Sequence, residues 1–169
     1  MRKKPELSLR ALQYLARREY SRAELRGKLL PHVQMGEDFA QPFDSACDSS
    51  GNSSGPENLD ALLDDLTARG WLSDARAATQ LLHAKRSRFG TQRIMHELRQ
   101  KGIAEELIEA ALPALKESEL EAARDVWQRK FGTLPQDARE KAKQMSFLQS
   151  RGFGFEVIFQ VLRTSNAED

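Results

Sequence analysis

The chain has 169 residues, 40% hydrophobic and 30% charged, enough for one domain or a short tandem array. It has no apolar run near the ~18 residues of a membrane span and no apolar stretch after MRKKPELSLR to serve as a signal peptide, so a cytosolic protein is expected. Its one cysteine, Cys47, excludes an internal disulfide, and the formal net charge of +1 makes no case for or against nucleic acid.

Ala, Leu, Glu, Arg and Gln dominate, strand alternation is nearly absent, and the pattern predicts an all-α fold of about nine helices. The first runs from about Leu7 to Arg18, with Leu9, Leu12 and Leu15 on one stripe. The second opens at Ser21, where Ser21 and Glu24 have capping-box spacing, and closes at Pro31. From Gln34 to Glu57 the chain is rich in Ser, Gly, Asp and Asn without periodicity, which predicts a mobile surface loop inserted between helices. Cys47 lies in it with no second Cys or nearby His to make a metal site or nucleophile.

Helix three is expected from about Asn58 to Arg69, and helix four from Ser73 to about Arg86. The basic loop KRSRFG leads through Thr91 into helix five, ending at Lys101. Helix six spans about Ala104 to Leu112, with Pro113 helping to close it, and helix seven runs from a second capping box (Ser118, Glu121) to Lys130. The last two run from about Gln136 to Arg151 and from Phe155 to Arg163.

One phrase recurs at helix ends: LTARGW (66–71), LRQKGI (98–103), LQSRGF (148–153) and, more loosely, LARREY (15–20). Gly70, Gly102 and Gly152 each stand where a helix would end in a left-handed residue, followed by an apolar side chain that folds back on the Leu. Glycine is suited because a side chain costs ~1–2 kcal/mol there, and the basic residue before it answers the helix dipole. The apolar residue also begins a staple into the next helix: Tyr20 with Leu25, Ile103 with Ile108, Phe153 with Ile158. Glu19 stands at the glycine position of the first copy, so that turn is either strained or of another type. Basic-Phe-Gly precedes two copies, at Arg88-Phe89-Gly90 and Lys130-Phe131-Gly132, and suggests a repeated unit. Stacked units of this kind give an elongated, curved body.

Charge is banded along the chain. Residues 1–30 and 68–102 each sum to +6, residues 31–67 to −8 and residues 103–125 to −5. This suits a protein meeting a charged surface along its length. The densest cationic group is Lys85, Arg86, Arg88 and Arg93, with Arg99 and Lys101 further along, and it is the candidate partner- or nucleic-acid-binding site. No residues point to catalysis, a metal or a cofactor: His32, His83 and His96 are scattered, there is no phosphate-binding glycine loop, and Asp64 and Asp65 read as solvated helix carboxylates.

Ser21-x-x-Glu24-Leu25-x-x-Lys28-Leu29, then Leu66-x-x-Arg69-Gly70-Trp71-Leu72-Ser73-Asp74, GTQRIMHELRQKGI (90–103) and FLQSRGF (147–153) occur in an order that resembles the RecX-type regulators of the bacterial RecA recombinase. The resemblance covers about Leu7 to Leu162, and the acidic insertion after Val33 departs from it. It implies three tandem three-helix repeats: residues 1–33 with 57–72, then 73–115, then 116–163, with 34–56 as the insertion and 164–169 as a tail. It also implies a non-enzymatic monomer whose partner is RecA and its filament on single-stranded DNA, hindering strand exchange, ATP turnover or filament growth. A helical protein that binds DNA directly through its helix–turn–helix joints and basic cluster, or a scaffold for another partner, fits the same composition.

Overall fold

The computed structural model describes residues 7–37 and 56–164. Its helices are α1 (Leu7–Leu15), α2 (Arg22–Glu37), α3 (Pro56–Ala68), α4 (Asp74–Lys85), α5 (Thr91–Gln100), α6 (Glu105–Lys130), α7 (Ala138–Ser150) and α8 (Phe155–Thr164). The described residues contain no strand, so the fold is all-α as expected. Most of the predicted loop, residues 38–55, lies outside the described residues. The chain divides into two compact units, Met1–Ala77 and Ala78–Asp169.

In the first unit α2 packs against both α1 and α3. Leu25, Leu29 and Val33 of α2 meet Leu59, Leu63 and Leu66 of α3, with Ala11, Tyr20 and Leu72 completing the core. The expected α1 stripe is shifted: Ala11 is buried whereas Leu9 is 50% exposed. Helix α2 does not stop at Pro31 but continues through it. An interior proline costs roughly 3 kcal/mol. The full burial of Leu29 and Val33 on either side of it is a gain of similar order, ~1.5–3 kcal/mol per side chain. The capping box at Ser21 forms: Glu24 N–H donates to Ser21 Oγ (3.1 Å) and Ser21 N–H to Glu24 Oε2 (3.4 Å). Asp64 and Asp65 are not merely solvated, since Asp64 pairs with Arg22 (2.8 Å) and Asp65 with Arg69 (2.9 Å).

In the second unit α6 is the central element, packed against α5, α7 and α8. Predicted helices six and seven are one helix of 26 residues that runs through Pro113. Ser118 does not cap a new helix; its hydroxyl donates back to the carbonyl of Ala114 (3.0 Å). Leu115 and the apolar run Ala122, Ala123, Val126 and Trp127 are buried on one side of α6, which carries the helix across the proline. Trp127 donates its indole N–H to Gln144 (2.7 Å), and Gln144 donates on to the Thr133 carbonyl (3.1 Å), so this buried polar pair is satisfied.

All three glycine phrases close as Schellman motifs. Phe153 N–H donates to Leu148 O (3.3 Å) and Gly152 N–H to Gln149 O (2.9 Å), with matching pairs at Ile103 and Gly102 and at Trp71 and Gly70. The three glycines have φ of +85°, +69° and +72°, respectively at 152, 102 and 70. Ile103 and Phe153 are buried, but Trp71 is 47% exposed under the Arg69 guanidinium, and Leu72 fills the core in its place. The glycine-less copy is a turn of another type: α1 ends at Leu15, and Arg17 N–H donates to Tyr14 O (3.0 Å).

The two basic-Phe-Gly triplets are not equivalent. Gly132 is left-handed (φ +67°), whereas Gly90 is the extended N-cap of α5 (φ −75°). Gly90 is required by contact instead. A Cβ there would lie 2.2 Å from the Gly152 carbonyl oxygen, so the entry to α5 and the exit from α7 touch backbone to backbone.

Candidate partner-binding site

The loop between α4 and α5 winds one further turn past Lys85, with Arg88 and Phe89 N–H both donating to the Lys85 carbonyl. This turn projects Arg86 and Arg88 outward and lays Phe89 partly buried against the protein. Three cations gather on the Phe89 ring: Arg93 at 4.6 Å from its centroid, Lys85 at 5.2 Å and Arg151 at 5.4 Å. Arg151 also lies 5.2 Å from the Phe147 ring, which meets Phe131 edge to face. Cations over aromatic faces gain ~0.5–1 kcal/mol each at exposed sites, which here helps hold like charges together.

Lys85 is paired with Glu97 (3.1 Å). Arg93 donates to the Ser150 carbonyl (3.0 Å), satisfying the C-terminal end of α7. Among the described residues, Arg86, Arg88, Arg93 and Arg151 have no carboxylate partner. Arg93 and Arg151 on the Phe89 ring, with the exposed Arg86 and Arg88 of the adjoining turn, therefore keep their charge available for phosphate or carboxylate groups, which arginine binds in a bidentate manner. The structure thus brings Lys85, Arg86, Arg88 and Arg93 into one patch and adds Arg151, which the sequence places at a helix end and not in a site.

Arg99 and Lys101 lie at the opposite end of α5. Arg99 forms a two-bond pair with Glu105 at the start of α6, Nε to Oε2 at 3.0 Å. Hydrogen bonding to Arg99 holds the Glu105 carboxyl below its ordinary range. A lowered carboxyl stabilises the fold above its ordinary pKa of ~4.3 and loses that contribution as pH falls through the folded value. A carbon-detected NMR titration should place Glu105 below the ordinary glutamate midpoint, and R99A should return it there.

At the start of α5 sits a carboxylate that the acidic block of residues 103–125 conceals. Glu119, in mid-α6, is 9% exposed and accepts from Thr91 N–H (3.1 Å), Thr91 Oγ1 (2.8 Å) and Gly154 N–H (3.4 Å). It closes the N-termini of α5 and α8 together, where both helix dipoles favour a negative charge. Through Thr91 it fixes the start of α5, the helix that carries Arg93.

Comparison with known proteins agrees with this architecture. Residues 73–112 match the family model described as RecX, second three-helix domain, and residues 117–162 match RecX, third three-helix domain. The chain is 46% identical over 167 residues to Regulatory protein RecX of Leptothrix cholodnii, covering 98% of this chain and 94% of that protein. It is 40% identical to Regulatory protein RecX of Chromobacterium violaceum, covering 96% and 93%. In three dimensions it is similar to a crystal structure of RecX from Lactobacillus salivarius, with a TM-score of 0.69 over 96% of each chain at 16% identity, a likeness of fold. With the helical repeats, the caps and the near full-length similarity in agreement, the chain belongs to the RecX family of regulatory proteins.

Proposed function

We propose that this protein acts by binding, as a cytosolic monomer that engages the RecA filament on single-stranded DNA and inhibits its strand exchange, ATP turnover and coprotease action. The observation that carries this reading is the near full-length similarity to proteins named Regulatory protein RecX. The cationic patch around Phe89 supplies a surface suited to a polymer that displays phosphates and carboxylates. Arg99 and Lys101, at the far end of α5, add a separate cationic contact, with Arg99 contributing less because Glu105 already answers it.

Substoichiometric protein should slow RecA strand exchange and single-strand-dependent ATP hydrolysis, and it should co-sediment with the filament. The double reversal R86E/R88E should weaken co-sedimentation about tenfold, the equivalent of ~1.4 kcal/mol, with an unchanged unfolding curve. No effect on strand exchange at excess protein would overturn the reading, and full binding by the double variant would move the contact off this patch.

A second reading, direct binding of DNA, is favoured by the four arginines without carboxylate partners. It predicts salt-dependent affinity for naked single strands, with a log–log slope that falls by roughly 0.7 for each phosphate contact removed. Affinity for naked DNA that does not depend on salt would exclude it.

A further inference from the structure

The outer side of α8 is left uncovered by the core of the second unit. Ile158, Val161 and Leu162 point inward and are buried, while Phe155 and Phe159, one turn apart, are 53% and 44% exposed. Arg163 stands one turn beyond Phe159 on the same stripe. Beside Phe159 opens a cleft of about 170 Å³, lined by Leu134, Pro135, Lys141, Phe159, Leu162 and Arg163.

Size and charge select the occupant. A cavity of ~150 Å³ accepts a benzene-sized ring, so this cleft takes one aromatic or branched aliphatic side chain. Four of its lining residues are apolar, and both charged ones are cations. Among the described residues neither Lys141 nor Arg163 has a carboxylate partner, and the nearby Glu140 is engaged by the Gln136 N–H (2.9 Å). An apolar hole with a cation on either helix complements an anchor side chain flanked by acids. Nucleic acid fits less well: only two cations stand by, and no lining side chain can accept from the amino group of an inserted base.

We infer that this cleft docks a peptide segment of a partner protein carrying one aromatic or branched aliphatic anchor between carboxylates. It shares no residue with the Phe89 patch, so it gives the protein a second, separately addressable contact. Two linked contacts of modest strength bind more tightly than either alone.

The test uses full-length protein and a fluorescein-labelled peptide, EDEFLDED, followed by polarisation near physiological salt. Saturable binding is expected. It should weaken at least about tenfold (~1.4 kcal/mol) with F159S, with K141E/R163E, or when the peptide's Phe-Leu pair becomes Ala-Ala, and should be unchanged by R86E/R88E. The substituted side chains lie at the surface, and matching circular-dichroism melts exclude unfolding as the cause. Three results would overturn the inference. One is peptide binding indifferent to both cleft variants. Another is an oligo-dT that binds in the peptide's place and is lost in the same variants. The third is a wild-type dimer in sedimentation velocity that F159S dissolves, which would make a second copy the occupant.

Discussion

Replacing Gly90 by Ala is expected to destabilise the second unit by about 3 kcal/mol, read as a lower urea midpoint at unchanged slope. The added Cβ would fall 2.2 Å from the Gly152 oxygen and 2.3 Å from the Gly152 carbon and the Phe153 nitrogen. All three are backbone atoms, so no rotamer relieves the overlap and the two segments must part. Overpacking of this kind costs ~1–3 kcal/mol. Parting also stretches the bonds from Gly90 N–H to Arg151 O (3.0 Å) and from Gln92 N–H to Gly152 O (3.3 Å). Each such bond contributes ~0.5–1.5 kcal/mol. Gly152→Ala should be worse, because its φ of +85° adds left-handed strain and its Cβ would sit 2.4 Å from that of Arg93. Gly27→Ala is the control. Nothing lies within 4 Å of its new Cβ, so this substitution inside α2 should stabilise the first unit by ~0.5–1 kcal/mol. A wild-type midpoint for Gly90→Ala would mean the two backbones do not touch.

Glu119→Ala is the second large effect, with an expected loss of about 3 kcal/mol. It removes the acceptor from Thr91 N–H, Thr91 Oγ1 and Gly154 N–H at once. A buried group left without its partner costs ~1–3 kcal/mol, and water entering the vacated space recovers part of that. Glu119→Gln should fall between, since its amide oxygen still accepts while its NH₂ would meet a donor. Thr91→Ala removes one bond and should cost ~1 kcal/mol. In a double-mutant cycle the two losses should be strongly non-additive, because they remove the same contact. Additive losses would show that Glu119 and Thr91 act on separate parts of the fold.

These positions mark what the sequence could and could not reveal. The glycine caps were legible because each is set by bonds within six residues, such as Phe153 to Leu148. The clustering of Lys85, Arg86, Arg88 and Arg93 was legible for the same reason, being local to one loop and the helix after it. Gly90 was misleading: its triplet matches that of Gly132, but its requirement comes from a backbone 62 residues away. Arg151 joins the patch over the same distance, and nothing around it in the chain points to Phe89. Glu119 sits among exposed acids and looks like one of them until two helix N-termini bracket it. Pro31 and Pro113 read as helix ends because proline removes a local hydrogen bond, whereas burial of neighbours on both sides is a tertiary gain. Ser118 fits a capping box in spacing, yet the same hydroxyl serves equally well turned back on its own helix.

The two tryptophans occupy opposite surroundings, one in each unit: Trp71 is 47% exposed beneath Arg69, and Trp127 is 5% exposed and bonded to Gln144. Since the chain has only these two, its tryptophan fluorescence is expected to be the sum of a long-wavelength and a short-wavelength emitter with separate addresses. A single Trp-to-Phe exchange at either position isolates the other. Melting of one unit, or a partner covering the Arg69 surface, can then be followed optically without attaching any label.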